Sequence, residues 1–395
     1  MRIGVFATMH YTVFLKRNEE RRLLAGHSWV FANEVSGIDG KAKNGSLATV
    51  RSFDGRFIGK GYINHASKIL VRIFIRDDST DEGDFYYNRI LEAWNQRKPL
   101  GYENCCRVVF GEADNLPALI VDKYGDILVV QCLSLGIHQR KKTIVDALVR
   151  IFAPKGIYER SDVSVRQKEG LPLEKGVLYG EVPDEVIIEE NGLKMSVDVK
   201  NGQKTGYFLD QKENRFALRR YSKGAVLDCF CNSGGFSLNA ALTANSVTAV
   251  DVSELALNNV KKNAELNGLT NITTVQADVF DFLRAEKARG AKYDLIVLDP
   301  PAFCKSANDV KDAYRGYKDI NLTAMKLVKS GGFLATGSCS HYMTFPLFEK
   351  MLAEAAKECG KRVRVLEMKT QAPDHPTLLN EEETQYLKFF VLQVL

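Results

Sequence analysis

The chain lacks the patterns that would place it in several common classes. Its eight cysteines include no Cys-x-x-Cys pair and stand beside no paired histidine spacing. Structural zinc needs such clusters, so no metal is expected, and the thiols fit a reducing cytoplasm. No apolar run approaches the roughly 20 residues that cross a bilayer, so no membrane association is expected. Residues 1–10 carry one basic side chain and a short apolar stretch without a cleavage site, which argues against a signal peptide. A strong charge is missing as well. Lys+Arg number 54 against 49 Asp+Glu, a formal +5 over 395 residues. That balance is compatible with a nucleic-acid partner and is no argument for one. The length calls for two or three domains.

The stretch 225–251 organises what is present. An apolar run ends at Asp228, and a tight turn, Asp228-x-Phe230-x-Asn232-x-Gly234-Gly235, opens a small-residue helix. A second strand then ends at Asp251, 23 residues after the first acid. This is the nucleotide-binding half of a doubly wound α/β fold, whose ligands sit beyond the carboxyl ends of the strands. The turn is not G-x-G-x-x-G. Phe230 and Asn232 would crowd the helix-terminal amides that a pyrophosphate needs, whereas S-adenosylmethionine (SAM) carries no phosphate. The turn resembles motif I of class I SAM methyltransferases with its first two glycines replaced. Four acids close four successive strands: Asp228, Asp251, Asp278 and Asp299. Asp251 is expected at the SAM ribose and Asp278 at the adenine amino group, with Asp228, Gly234 and Gly235 near the methionine part. Two final strands, 362–368 and 386–395, have no helix between them and can pair only antiparallel. The expected fold class is therefore α/β, a Rossmann-like seven-stranded methyltransferase sheet.

Ahead of it, residues 11–80 read as a small β-barrel of short strands and turns, with Asp54-Gly55 as a hairpin signal. Arg17, Arg21, Arg22, Lys41, Lys43, Arg51, Arg56, Lys60, Lys68, Arg72 and Arg76 give it a basic bias. The segment from Arg21 to Phe31 resembles the opening of a PUA domain, an RNA-binding barrel; the plainer reading is a solvated surface. Residues 81–185 form a central α+β domain, and the methyltransferase domain, with its leading hairpin at 186–200, fills 186–395.

The reactive end is Asp299-Pro300-Pro301, with an aromatic at Phe303. Prolines fix φ and remove donors, so this segment projects rigidly and suits a planar base or amide. Cys339 follows strand five. A random cysteine is usually a small buried hydrophobe, but at this place a thiolate can add to C6 of cytosine and make C5 nucleophilic. Asp299 would then hold the N3/N4 edge of the base. Cys229 and Cys231 read as packing, and the roles of His341 and Cys304 stay open.

Together these features resemble the RlmI-type 5-methylcytosine methyltransferases of bacterial 23S ribosomal RNA. The resemblance spans the whole chain. It rests on Gln203-Lys204-Thr205-Gly206-Tyr207-Phe208-Leu209-Asp210-Gln211, Asp299-Pro300-Pro301-Ala302-Phe303, the segment Arg315–Asn321, Ser338-Cys339-Ser340 and Asp374-His375-Pro376. It implies SAM as cofactor and ribosomal RNA as partner, in the cytoplasm. It further implies that Tyr207 and Gln211 approach SAM and that Lys318 and Asn321 line the substrate side. Residues expected at the cofactor are thus Tyr207, Gln211, Asp228, Phe230, Asn232, Gly234, Gly235, Asp251, Asp278, Asp299 and Pro300. Pro301, Phe303, Lys318 and Asn321 are expected at the substrate. Guanine-N7 methylation on a similar core, and a non-catalytic RNA-binding assembly factor, are the alternatives. A homodimer is left open.

Overall fold

The computed structural model describes residues 11–77 and 79–395, so the leader expectation for residues 1–10 lies outside it. The chain forms two compact units. The first comprises the chain up to Val186 together with Val197–Tyr207 and Pro373–Thr384. The second comprises Ile187–Ser196, Phe208–Ala372 and Gln385–Leu395.

In the first unit, a six-stranded sheet runs in the order Trp29–Phe31, Ile69–Ile75, Phe57–Ile63, Leu47–Arg51, Tyr11–Leu15, Val35–Asp39. Alternating apolar residues, among them Val13, Leu15, Ala48, Val50, Ile63, Val71 and Ile73, turn inward to one core. Asp54-Gly55 forms the expected turn between two antiparallel strands. The Trp29–Phe31 and Val35–Asp39 strands were not expected; the first is only three residues long and the second is mostly exposed. Not all of the basic bias faces solvent. Arg72 is buried, its guanidinium on Glu169 at 2.8 Å and 5.5 Å over the Trp29 ring. Arg22 holds Glu34 at 2.9 Å, and Arg76 donates to the carbonyls of Leu23, Gly26 and His27. Arg17, Arg21, Lys41, Lys43, Arg56 and Lys68 remain exposed.

A five-stranded sheet, in the order Glu174–Gly180, Gly156–Ser161, Ile127–Cys132, Leu119–Tyr124, Cys105–Phe110, completes this unit. Residues 137–152 read in the sequence as one helix, but it is broken at Arg140 into Leu135–Gln139 and Lys141–Phe152. Arg140 leaves the helix to pair with Asp81 at 2.9 Å and to cover the Tyr62 ring at 4.0 Å. Arg160 and Arg166, polar residues that could have lined a groove, are buried and donate to backbone carbonyls.

Besides the hairpin of Val186–Glu190 and Leu193–Val197, the second unit holds a seven-stranded sheet: β1 (Ala225–Cys229), β2 (Ser246–Asp251), β3 (Ile272–Gln276), β4 (Tyr293–Leu298), β5 (Val328–Ser338), β6 (Val363–Lys369) and β7 (Lys388–Val394). Their order is 3-2-1-4-5-7-6, with β7 antiparallel to both neighbours as expected. The helices are α1 (Lys212–Leu218), α2 (Gly235–Ala241), α3 (Glu254–Leu266), α4 (Val279–Ala288), α5 (Val310–Leu327) and α6 (Phe345–Glu358). Leu227, Cys229, Ile296, Leu298 and Leu334 pack on one face of the sheet, and Val226, Leu295, Val297 and Ala335 on the other. Burial on both faces is why these strands read as continuous apolar runs. The order reverses between β1 and β4, which puts the crevice for a ligand there.

One boundary differs from expectation. The sequence over 311–329, followed by Gly331-Gly332, reads as a helix with a glycine stop, but the helix ends at Leu327 and β5 begins at Val328. The register then slips between Tyr293↔Val328 and Leu295↔Phe333, so the glycines sit in a bulge. Gly332 is required there because a Cβ would come within 2.8 Å of the Asp294 carbonyl.

Candidate active site

The turn after β1 alternates its backbone hand. Phe230, Asn232 and Gly234 take φ of 62°, 48° and 86°, the left-handed region that non-glycine residues enter at a cost. Two hydrogen bonds hold it, Cys231 N to the Val250 carbonyl at 3.1 Å and Gly234 N to the Cys231 carbonyl at 2.9 Å. Asp251 orders the same turn, accepting from Asn232 N at 3.0 Å and from Ser253 N at 2.9 Å. Each oxygen keeps a lone pair for a further donor. Gly235 opens α2 and is buried.

Asp228 is the most constrained acid. It is 1 % exposed, and one oxygen accepts from Ser237 Oγ at 2.6 Å. The other oxygen is buried without a hydrogen-bond partner. Burial pushes its carboxyl up to about 7, and the charges of Asp299 and Asp251 add to the rise. A dry carboxylate among other carboxylates calls for a cation. SAM presents an ammonium and a sulfonium, so this cluster fits the expected cofactor.

The remaining acids divide. Asp278 caps α4, with one oxygen accepting from Phe280 N at 2.9 Å and Asp281 N at 3.2 Å, and its side chain is exposed. Asp299 ends β4, and its Oδ1 accepts from Gln211 Nε2 at 2.8 Å. Gln211 is itself set by Asn214, which donates to Gln211 Oε1 at 2.7 Å. The Gln203–Gln211 motif is divided between the two units. Thr205 Oγ1 donates to Asp122 at 2.6 Å, and the Tyr207 carbonyl accepts from Tyr124 at 3.4 Å, all in the first unit.

On the reactive side, Pro300 is buried and Pro301 exposed. The Phe303 ring lies 6.4 Å from Phe230, 6.0 Å from Phe280 and 4.7 Å from Tyr317, linking the post-β4 loop to the β1 turn. Half-buried Cys339 follows β5 directly. β4 and β5 are parallel neighbours, and a Cβ on Gly337 would lie 3.6 Å from Asp299 Oδ1. The acid therefore stands beside the strand end that leads to the thiol.

Hydroxyls brace this end. Ser338 Oγ donates to the Tyr317 hydroxyl at 2.9 Å, Tyr317 and Ser340 Oγ share a bond of 2.9 Å, and Cys304 N donates to Ser340 Oγ at 3.2 Å. The Cys304 thiol, which burial pushes up, lies 3.2 Å from the Ser306 carbonyl. Cys229 and Cys231 are buried in the core, and burial holds their thiols well above the usual range. Two implied residues sit differently. Lys318 commits its ammonium to Glu358 at 2.8 Å and Glu354 at 3.7 Å on α6, and Asn321 is wholly buried, donating to the Tyr317 carbonyl. Sequence reasoning missed Lys388, whose ammonium donates to the carbonyls of Ser340 and Tyr386 at 2.6 and 2.7 Å. The signal was there: one lysine opening the apolar, buried run Phe389–Leu392.

Comparison with known proteins fits this arrangement. Residues 13–76 match the model of a PUA-like domain, and residues 168–385 that of an S-adenosylmethionine-dependent methyltransferase. The chain is 42% identical, over 98% of its length and 100% of the relative, to ribosomal RNA large subunit methyltransferase I of Pseudoalteromonas atlantica. With the protein of that name from Shewanella amazonensis it shares 43% identity over 98% of this chain and 100% of the relative. Among solved structures, a SAM-dependent methyltransferase from Streptococcus mutans superposes with a TM-score of 0.83 at 22% identity, covering 97% of this chain and 100% of that one. A methyltransferase solved with SAH superposes at 0.84, again at 22% identity and covering 97% and 100% of the two chains.

Proposed function

This chain belongs to the S-adenosylmethionine-dependent methyltransferase family, with ribosomal RNA large subunit methyltransferase I among its relatives, and we propose that it methylates C5 of a cytosine in large-subunit ribosomal RNA through a covalent Cys339 adduct. It is a SAM-dependent enzyme, and the relatives' names make ribosomal RNA its substrate. The observation that carries the finer reading is the pairing of strand ends, Asp299 after β4 beside Gly337 and Cys339 after β5.

The bound cofactor supplies the methyl group. Asp251 and Asp228 hold its ribose and its cationic end, the latter by charge and by an oxygen that lacks another partner. The Phe303 cluster walls the base. Cys339 adds as thiolate to C6, and the ring's electron pair moves to C5, which takes the methyl group. Asp299, oriented by Gln211, hydrogen-bonds the N3/N4 edge and stabilises the adduct. A base, to which no residue here is assigned, then takes the C5 proton; the C–H pair re-forms the C5–C6 double bond, the C6–S bond breaks to release the thiolate, and aromaticity is restored. Pro300 and Gly235 belong to the cofactor side of this reading, and Pro301, Lys318 and Asn321 to the substrate side. Because Lys318 is tied to α6, it would have to exchange partners to meet RNA.

RNA carrying 5-fluorocytidine at the target tests the mechanism. Fluorine replaces the leaving proton, so a protein–RNA adduct should accumulate in the presence of SAM. Cys339→Ala should form neither adduct nor 5-methylcytosine, read by nucleoside mass spectrometry, while still binding SAM. Full methylation by Cys339→Ala would refute the thiolate mechanism and favour guanine N7.

A further inference from the structure

Lys388 holds an ammonium where water scarcely reaches it. It is 3 % exposed, at the head of β7, and sits directly across from Ser338 in the antiparallel register. Among the described residues it forms no ion pair with a carboxylate; its hydrogen bonds go to two backbone carbonyls, those of Ser340 and Tyr386. Neutral carbonyls offset only part of the penalty for burying a cation. An apolar side chain would extend the run Phe389–Leu392 without that penalty, so the charge asks for another explanation.

The groups around it supply one. Cys339, at the end of β5, directly precedes Ser340, whose carbonyl the ammonium grips, and Cys304, in the loop after β4, donates its amide to Ser340 Oγ. From α5, Tyr317 reaches the same turn through Ser338 and Ser340. From α6, Phe345 and Phe348 pack against Phe390, two residues along β7. Two thiols thus border the turn that the cation grips, one of them the residue that must ionise. Both Ser340, which it grips, and Ser338, which it faces, flank Cys339.

Resting on the reading of Cys339 as nucleophile, we propose that Lys388 is a positioning residue that fixes the Ser338–Ser340 turn and supplies the positive charge favouring the Cys339 thiolate. An opposite charge within a few ångströms of a thiol stabilises its ionised form, and a dry site strengthens the effect. Burial also draws the Lys388 ammonium down to about 8, so the charge is present at neutral pH and fades in alkali. The thiol should therefore be most strongly assisted at and below neutrality.

The test separates charge from clamp. Lys388→Gln keeps an amide donor for the carbonyls and loses the charge; Lys388→Arg keeps the charge. Iodoacetamide labelling of Cys339, followed by peptide mass spectrometry across pH, reads the thiolate without needing turnover. Lys388→Gln should raise the labelling midpoint by about one unit, roughly a tenfold loss of labelling rate at neutral pH, whereas Lys388→Arg should keep the midpoint. The kcat should fall in step in Lys388→Gln, with KM for RNA little changed. An unchanged midpoint in folded Lys388→Gln overturns the proposal. Should that variant not fold, the coupling is read from the other side. In Cys339→Ala, the Lys388 titration followed by carbon NMR of the labelled lysine should move to lower pH, and a stationary titration overturns the proposal. Failure of the nucleophile reading gives a different signature, since it appears as methylation by Cys339→Ala whatever the labelling profile.

Discussion

At the scale of single residues, the decisive feature is Asp228. The folded protein holds its carboxyl at about 7, above the ordinary 3.8. Between those two pH values the native state binds a proton that the unfolded chain has lost. Stability conferred by this group therefore falls as pH rises from about 4 to about 7, and the penalty is complete above that. Asp228→Asn removes the titration. The variant, without cofactor, should unfold later than wild type at pH 8, by on the order of 2–4 kcal/mol, with the gap closing toward pH 4. Thermal unfolding across pH checks this, and an unchanged gap would mean that the carboxylate is not strained. The same variant should lose SAM affinity, and wild-type binding near neutrality should release a proton, visible by calorimetry in buffers of different ionisation heat. Asp228 was legible in the sequence as a strand-end acid. Its raised pKa was not, because that depends on which acids the fold stacks against it. Lys388 was visible as a lysine at the head of an apolar run, but what its ammonium meets is set by strands far away in sequence.

The elements were legible wherever periodicity and punctuation agree. β1 to β4 alternate with helices, Ser253 and Asp278 cap α3 and α4 with hydrogen bonds to backbone amides, and Asn191-Gly192 turns a hairpin with both residues at positive φ. The α5–β5 join was misread because paired glycines look like a helix stop, whereas here they relieve a bulge against β4. The place of α1 was also hidden. Its Arg215 forms a two-pronged pair with Glu190 of the hairpin, at 2.7 and 2.8 Å, with both side chains almost fully buried. Breaking such a pair leaves a stranded charge. Arg215→Met should cost about 3–5 kcal/mol by urea denaturation, and Arg215→Met with Glu190→Leu should recover most of it. If the single variant is as stable as wild type, the pair is not what anchors α1. The anchoring bears on function because Gln211, the partner of Asp299, immediately precedes α1.

At the scale of the molecule, the basic bias of the PUA-like domain is partly internal. Arg72 and Glu169 fasten the domain's own unit, so the charges open to RNA are the exposed ones, Lys41, Lys43 and Lys68 among them. Reversing these three to glutamate should weaken RNA binding at least tenfold. It should also flatten the dependence of log K on log salt by about 0.7–0.9 for each phosphate no longer neutralised. SAM affinity should be unchanged, because the acids of that site lie in the second unit. An unaltered salt slope would return this face to plain scaffold. A sequence registers the sign of a side chain but not which arginines are tied up holding a core together, and here that distinction decides where RNA can be gripped.

The buried oxygen of Asp228 reaches beyond the chemistry. A fold that carries an uncompensated acid until its ligand arrives is a fold whose survival is conditional. Molecules lacking the cofactor should then open more often and be cut sooner by proteases than loaded ones. The cellular quantity of the enzyme would then follow methyl-donor supply with no regulator involved, starvation thinning the population and plenty preserving it.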